Sequence, residues 1–361
     1  MFGFYAWFFG YWLEMIIAGL VTGLVVGLLA NTSVASRLLR NPRSLGELRL
    51  GMVLTALAVV LVGLGLVGLV AEYLGGGIAP GFAAALVAGF MLLQWLFSPL
   101  IINVLYRVHE AGPELDWLRV EVERIARESG VRPPRLMVAE MDAPNAFAYG
   151  SPLFGNYVAV TRGLLRLLPR DEVVAVIGHE VGHLKHRDVV AILALATIPA
   201  IVYFLGRALL YYGLWGGGER ERESPAALLA IGAALVAVGI LLHLVVQHFS
   251  RLREYYADAH SALVTGRPRL LQRALARLYV AYRAVPAFRE EVSQKSFVGY
   301  LFIVSGLLDA FYEPWGGDVD ALVEELKRVE PSPLEELFST HPPIPKRLRF
   351  LDALAARLHG F

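Results

Sequence analysis

No cysteine occurs anywhere in the 361 residues. That absence excludes a disulfide framework, a thiolate nucleophile and any sulfur-ligated metal, so a metal here must rest on histidine and carboxylate. Charge is scarce as well. Charged residues make up 18% of the chain and hydrophobic residues 56%, whereas an ordinary soluble domain carries about 25% charged and 45–50% apolar residues. The formal net charge of +1 provides no basic field for nucleic acid and no acidic one for cationic partners. No nucleic acid is therefore expected among the partners. Lysine is nearly missing, with 4 against 29 arginines, a bias of genome composition more than of mechanism. Disorder is ruled out by the abundance of Leu, Val and Ala, and a mean hydropathy of +0.54 argues against a purely water-soluble globule.

What is present in excess is long apolar runs. A spanning helix needs about 20 mostly apolar residues. Five stretches qualify: Phe8–Ala30, Gly51–Leu74, Ile78–Tyr106, Val189–Tyr212 and Pro225–Phe249. The reading is a mainly α integral membrane protein, multi-pass in the plasma (inner) membrane, with the lipid bilayer as its first partner. No basic segment precedes the first run, so it reads as a retained anchor. Arg37, Arg40, Arg43 and Arg49 place the 31–50 loop in the cytoplasm by the positive-inside rule. The polar blocks 107–188 and 251–361 then share that compartment. The expected organisation is an N-terminal anchor (1–106), a first half-domain (107–188), a transmembrane hairpin (189–250) and a second half-domain (251–361).

Within the first block, Asp116–Ser129 reads as an amphipathic helix with Trp117, Val120 or Val122, and Ile125 on its apolar stripe. Three β-like runs follow, Leu136–Glu140, Ala146–Tyr149 and Tyr157–Thr161, which predict a small sheet. Asp171 is a candidate cap for a helix reaching His186. In the second block, Arg251–Val264 and Arg269–Ala284 read as helices, with Gly266 and Pro268 between them. Ser296–Phe311 reads as a buried or membrane-resting helix.

The chemistry is carried by His179-Glu180-Val181-Gly182-His183. Histidines four apart on a helix lie on one face, with Cβ atoms about 5–6 Å apart, and can converge on one Zn²⁺. Glu180 is offset round the helix, where it can take a proton from water. A catalytic zinc needs a third protein ligand and one open position. Glu254 and Asp258, four apart near the start of the second block, supply a candidate ligand and a carboxylate to hold the outer N–H of a ligating histidine. The competing reading is an exposed charged helix face with Arg251 and Arg253. Antiparallel fourth and fifth spans would bring His183 and Glu254 to the same membrane face, which favours the ligand.

The HExxH motif, a transmembrane hairpin and Ser250–Asp258 (SRLREYYAD) together resemble the HtpX-type membrane zinc metalloproteases of the M48 group. Asn145–Gly150, Val158–Thr161 and Ser339-Thr340-His341-Pro342-Pro343 with Arg347 fit the same resemblance, which spans about residues 115–361. It implies an α+β zincin-like domain with one zinc held by His179, His183 and Glu254, and a catalytic Glu180. It further implies a cytoplasm-facing site that cleaves polypeptide substrates, membrane proteins among them, in quality control. Three apolar runs precede the protease block where two are usual in that family. Two other readings stand beside it: a CAAX prenyl-protease of the related Ste24 type, and a catalytically silent zinc-binding scaffold.

Asn145, Ala146, Phe147 and Ala148 are candidate substrate contacts, because an uncharged strand at a sheet edge can pair with an extended peptide. His341, stiffened by Pro342 and Pro343, is a candidate donor to a developing oxyanion, with Asn145 as its rival. His243 and His248 read as locally hydrogen-bonded residues of the fifth span, and His186 and His260 as surface residues.

Overall fold

The structure, a computed structural model, describes residues 45–73, 78–215, 224–288, 317–331 and 341–358. The first apolar run and the 296–311 segment lie outside the described residues. Four helices are long and apolar enough to cross a membrane, over Leu45–Gly68, Val87–Leu105, Asp188–Leu214 and Pro225–Thr265. They belong to α1 (Leu45–Tyr73), α2 (Ile78–Leu105), α6 (Asp188–Trp215) and α7 (Pro225–Thr265).

Between α2 and α6 the chain runs through β1 (Val108–Glu110), α3 (Asp116–Glu128), β2 (Arg135–Ala139), β3 (Ala146–Ser151), β4 (Gly155–Thr161), α4 (Arg162–Leu167) and α5 (Arg170–His186). After α7 come α8 (Pro268–Ala284), α9 (Val319–Leu326) and α10 (Ile344–Leu358). The four strands are ordered β1-β2-β4-β3. β1 joins β2 antiparallel, β2 joins β4 in parallel, and β3 joins β4 antiparallel with Ala148 opposite Val158. β3 is therefore an edge strand. One apolar core holds Leu118, Val138, Val176, Leu275, Leu322 and Leu348 together, so elements on both sides of the α6–α7 pair share it.

Three local readings are corrected here. The buried stripe of α3 is Leu118, Val122, Ile125 and Ala126. Trp117 packs half-buried against the same core, as expected, with Arg170 over its ring at 4.8 Å, whereas Val120 is exposed. Asp171 is not the cap of α5: Pro169 holds the N-cap position with no side-chain bond, and Asp171 sits in the first turn, where its charge suits the helix dipole. The fifth span and the helix after it are one uninterrupted α7 of 41 residues. Nothing between Phe249 and Arg251 breaks the hydrogen-bond ladder, so α7 runs about 60 Å, twice the hydrocarbon thickness. It ends at Gly266, whose φ of 64° is the left-handed stop that glycine tolerates.

The α6–α7 hairpin is closely packed because it meets at glycines. A Cβ on Gly206 would lie 2.8 Å from the Gly232 carbonyl oxygen, and one on Gly232 would lie 2.8 Å from the Gly206 oxygen. Such small-residue contacts let membrane helices approach backbone to backbone. That pairing carries the chain out of the domain after α5 and returns it as the C-terminal part of α7.

Candidate metal centre and active site

α5 places His179 and His183 one turn apart, and α7 brings Glu254 to them. The two Nε2 atoms lie 3.1 Å apart. Glu254 Oε2 is 3.5 Å from His179 Nε2, and Oε1 is 3.4 Å from His183 Nε2. Among the described residues this is the group of His and carboxylate atoms, all within 4.8 Å of one another, that could hold a metal ion. His248 stands apart from it, with Nδ1 3.4 Å from an Arg251 nitrogen.

The outer nitrogens explain why that group suits a cation. His179 Nδ1 meets Asp258 Oδ1 at 2.9 Å, and His183 Nδ1 meets Asp188 Oδ2 at 2.7 Å. With each Nδ1–H donated to a carboxylate, both Nε2 atoms present lone pairs, and Glu254 faces them with a buried Oε2 that accepts no hydrogen bond. In that tautomer three lone-pair donors converge on one point. A metal ion satisfies all three.

Each of these carboxylates has its own arginine. Arg347, fully buried, grips Asp258 in bidentate fashion, Nη2 to Oδ1 at 2.6 Å and Nε to Oδ2 at 2.9 Å. Arg253 pairs with Asp188 and donates to the His186 carbonyl at 2.8 Å. The Asp188 contact went unread in the sequence. It depends on Arg187, a non-glycine residue at φ 53°, which stops α5 and turns Asp188 back beside His183. Left-handed backbone at such a residue costs on the order of 1–3 kcal/mol.

Glu180 is buried, and its Oε2 accepts the backbone N–H of Ala148 at 2.7 Å. Burial pushes its carboxyl up from the ordinary range, against the pull of the two histidines. An elevated carboxylate is a better proton acceptor near neutral pH. The Ala148 bond also shows which way the edge strand points. Asn145 accepts from Thr161 N at 2.9 Å, across to β4, so by alternation the backbone groups of Ala146, Ala148 and Gly150 face away from the sheet. Phe147 and Ala148 line the cavity above the metal group, whereas Asn145 is buried beside Thr161. β3 is anchored to α2 by Tyr149 to Asn103 at 2.7 Å and Ser151 to the Leu96 carbonyl at 2.8 Å.

His341 enters the same cavity, its Nε2 3.6 Å from Glu254 Oε1. Burial pushes its imidazole down to about 4, so it is neutral at physiological pH and keeps one N–H to donate. The expectation that His186 and His260 are surface residues fails. His260 is buried against Ser129 Oγ at 2.9 Å, and the half-buried His186 ring meets Tyr256 edge-on at 4.3 Å. Polar identity misled there, because both rings fill the seam between α5 and α7.

The cavity holds about 730 Å³ and is mostly apolar. From the metal group it follows α6 from Val189 to Phe204 and α7 from Glu254 back to Gly239, about 22 Å of each helix. His243 lies on its wall.

Such a centre beside membrane-crossing helices defines the class: a membrane metallopeptidase. Residues 114–355 match the sequence profile of peptidase family M48, and the chain belongs to that family. It is 58% identical over 286 residues to a protein named Protease HtpX homolog from Aeropyrum pernix, covering 79% of this chain and 89% of that one. A protein of the same name from Archaeoglobus fulgidus is 36% identical over 335 residues, covering 92% of this chain and 95% of that one. In architecture the chain resembles the crystal structure of S. mikatae Ste24p, with a TM-score of 0.50 at 14% identity, covering 94% of this chain and 74% of that one. That likeness concerns the fold alone.

Proposed function

We infer that the metal is zinc, one ion per chain, held by His179, His183 and Glu254, and that Glu180 is the base of a peptide-bond hydrolysis. Zinc bound there would supply Lewis acidity, acidifying a water and polarising a carbonyl. Glu180 takes the proton from water and returns it to the leaving amine. Asp258 and Asp188 fix the two imidazole tautomers. His341 donates to the carbonyl oxygen as it becomes an oxyanion. An extended substrate lies along the Asn145–Ala148 stretch of β3, pairing with its outward-facing backbone at Ala146 and Ala148, while Asn145 stays turned to β4. The convergence of three lone-pair donors with an unbonded Glu254 Oε2 is the observation that carries this reading.

The substrates are membrane proteins, cleaved at the cytoplasmic face of the plasma membrane in quality control. The apolar cavity along α6 and α7 supports this, since it suits a polypeptide stretch that starts in lipid. Residues 107–188 and 251–361 act as one protease domain, with 189–250 as the hairpin between its halves. The decisive experiment combines metal analysis with cleavage of an unfolded membrane protein, with and without a chelator. Glu254→Gln should lose metal, and Glu180→Gln should keep it while turnover falls by about 10²–10⁴. Native zinc content in Glu254→Gln would put the third ligand elsewhere, with His248 next to be tested. For orientation, a reporter fused after Phe361 should score cytoplasmic and one near Gly217 should score outside. Cytoplasmic labelling at both would refute the assigned topology.

A further inference from the structure

A second cavity, of about 1020 Å³, opens beside the first. Its walls are the β3–β4 turn, the α5–α6 junction and the segment following α3, and His183 and Asp188 line it as well as the metal site. It is more polar than the first cavity and carries basic side chains. Arg132, Arg135, Lys185 and Arg187 all line it and all are exposed. Its single lining carboxylate is Asp188, already engaged by His183 and Arg253.

Other exposed arginines of the domain, such as Arg107, Arg170, Arg267 and Arg328, also lack an ion pair among the described residues, but these four cations are gathered in one groove. Several arginines nearer a carboxylate are paired. Arg124 is paired with Glu121 and Glu128, Arg166 with Asp142, and Arg273 with Asp320. Arg132, Lys185 and Arg187 make no ion pair among the described residues. Arg135 donates to the Phe154 carbonyl at 2.7 Å and lies over the Tyr157 ring at 4.3 Å, which leaves its charge uncompensated. A concave wall of unpaired like charges favours an anionic occupant.

Gly150, on the outward edge of β3, lines both cavities, and Ser151 lines the basic one. An extended chain laid along β3 past Ala148 therefore leaves the apolar cavity and enters the basic groove. We propose that this groove is a subsite for acidic side chains of the substrate. The enzyme then selects bonds lying between an apolar stretch and an Asp- or Glu-rich flank. The proposal rests on the metallopeptidase reading for the position of the bond. An anionic lipid headgroup is the rival occupant. The groove favours polypeptide because its inner end is formed by β3 backbone and His183.

The test uses the full chain in zwitterionic nanodiscs and labelled peptides sharing one apolar stretch, with an acidic, neutral or basic flank on either side of the central bond. Binding is read by anisotropy with metal chelated, so that nothing is cleaved. In one of the two placements the acidic peptide should bind about tenfold tighter than the neutral one, the size expected of two or three partly exposed ion pairs. That preference should fade at high salt. It should reverse in Lys185→Glu/Arg187→Glu, and shrink in Arg132→Glu, which leaves the α5–α6 junction untouched. Equal binding of acidic and neutral peptides in both placements overturns the proposal. So does a preference that survives the charge reversals, or displacement of acidic peptide by anionic-lipid nanodiscs with no difference between flanks. Cleavage of a neutral unfolded protein by the metal-loaded enzyme is scored separately. Its failure removes the reaction, whereas loss of the flank preference alone removes only the subsite.

Discussion

The two histidines of the centre are held by arms of the same composition in different surroundings. His179 leans on Asp258 and Arg347, all inside the domain, and Arg347 comes from α10, 168 residues after the histidine it supports. His183 leans on Asp188 and Arg253, where α5 gives way to the apolar α6. The inner arm is sealed, with Arg347 and Asp258 wholly buried. In the outer arm the His183 side chain keeps 18% of its surface exposed, and the groove reaches it. A sealed arm fixes geometry, and an open one leaves a side from which substrate can approach.

If the arms differ in this way, breaking the inner one should cost the fold itself. Arg347→Met leaves Asp258 buried without its counter-charge, and such a loss typically costs about 3–5 kcal/mol. Arg253→Met should cost less, because the outer pair keeps a little exposure, 11% at the Arg253 side chain, where the inner pair has none. Unfolding of both variants in the same detergent, with metal chelated, makes the comparison. Equal losses would show that the arms are not sealed and open in the sense argued.

His341 belongs to the inner arm by position, three residues before α10, yet its expected effect is on rate. Removing a donor used only in the transition state lowers kcat by about 10²–10³ with KM nearly unchanged. His341→Ala should do this at native zinc content and native melting temperature. A variant that melts early, or keeps its kcat, would make His341 a structural tie between the C-terminal segment and Glu254.

The inner arm was legible in the sequence only as far as Asp258. The Arg347 grip on it went unread, and the outer arm was not legible at all. Helical spacing alone sets His179 and His183 together, and the same i, i+4 rule links Glu254 to Asp258. Glu254 needed one further step, the antiparallel hairpin that returns α7 to α5. Asp188 escaped because its contact spans a helix end and a left-handed arginine, which no periodicity announces. β1 escaped because three residues show no alternation, and they pair only because β2 offers an edge. In α3 Trp117 does pack on the core, and what escaped was the fully buried Leu118 beside it.

The outer arm should matter for metal more than for fold. Asp188→Asn keeps an oxygen for His183 Nδ1–H but removes the charge that makes the imidazole a stronger ligand. Loss of such a partner typically weakens metal affinity about 10–100-fold. Competition against a chromophoric chelator reads this directly, and Asp258→Asn should lose at least as much. Native affinity in Asp188→Asn would leave the outer carboxylate as a fastener for Arg253 alone.

The smallest effect is expected where an arginine–carboxylate pair lies far from the centre and in water. Asp320 on α9 bonds Arg273 and Arg269 of α8, and the Arg273 bond, ahead of the others, pulls its carboxyl down to about 2 from an ordinary 3.8. A depressed carboxylate adds stability that is fully present above its unfolded value and is lost as pH falls through its folded one. The wild type should therefore exceed Asp320→Asn by a constant margin above about pH 5, and the margin should close between about pH 4 and 2. Its size should be only about 0.2–1 kcal/mol, because all three side chains are roughly a third exposed and the pair is screened. Chemical unfolding of both proteins across that range, with metal chelated, gives the difference. A margin of several kcal/mol would mean that α8 and α9 are fastened as tightly as the Arg347–Asp258 arm, and exposure would no longer separate the two kinds of pair.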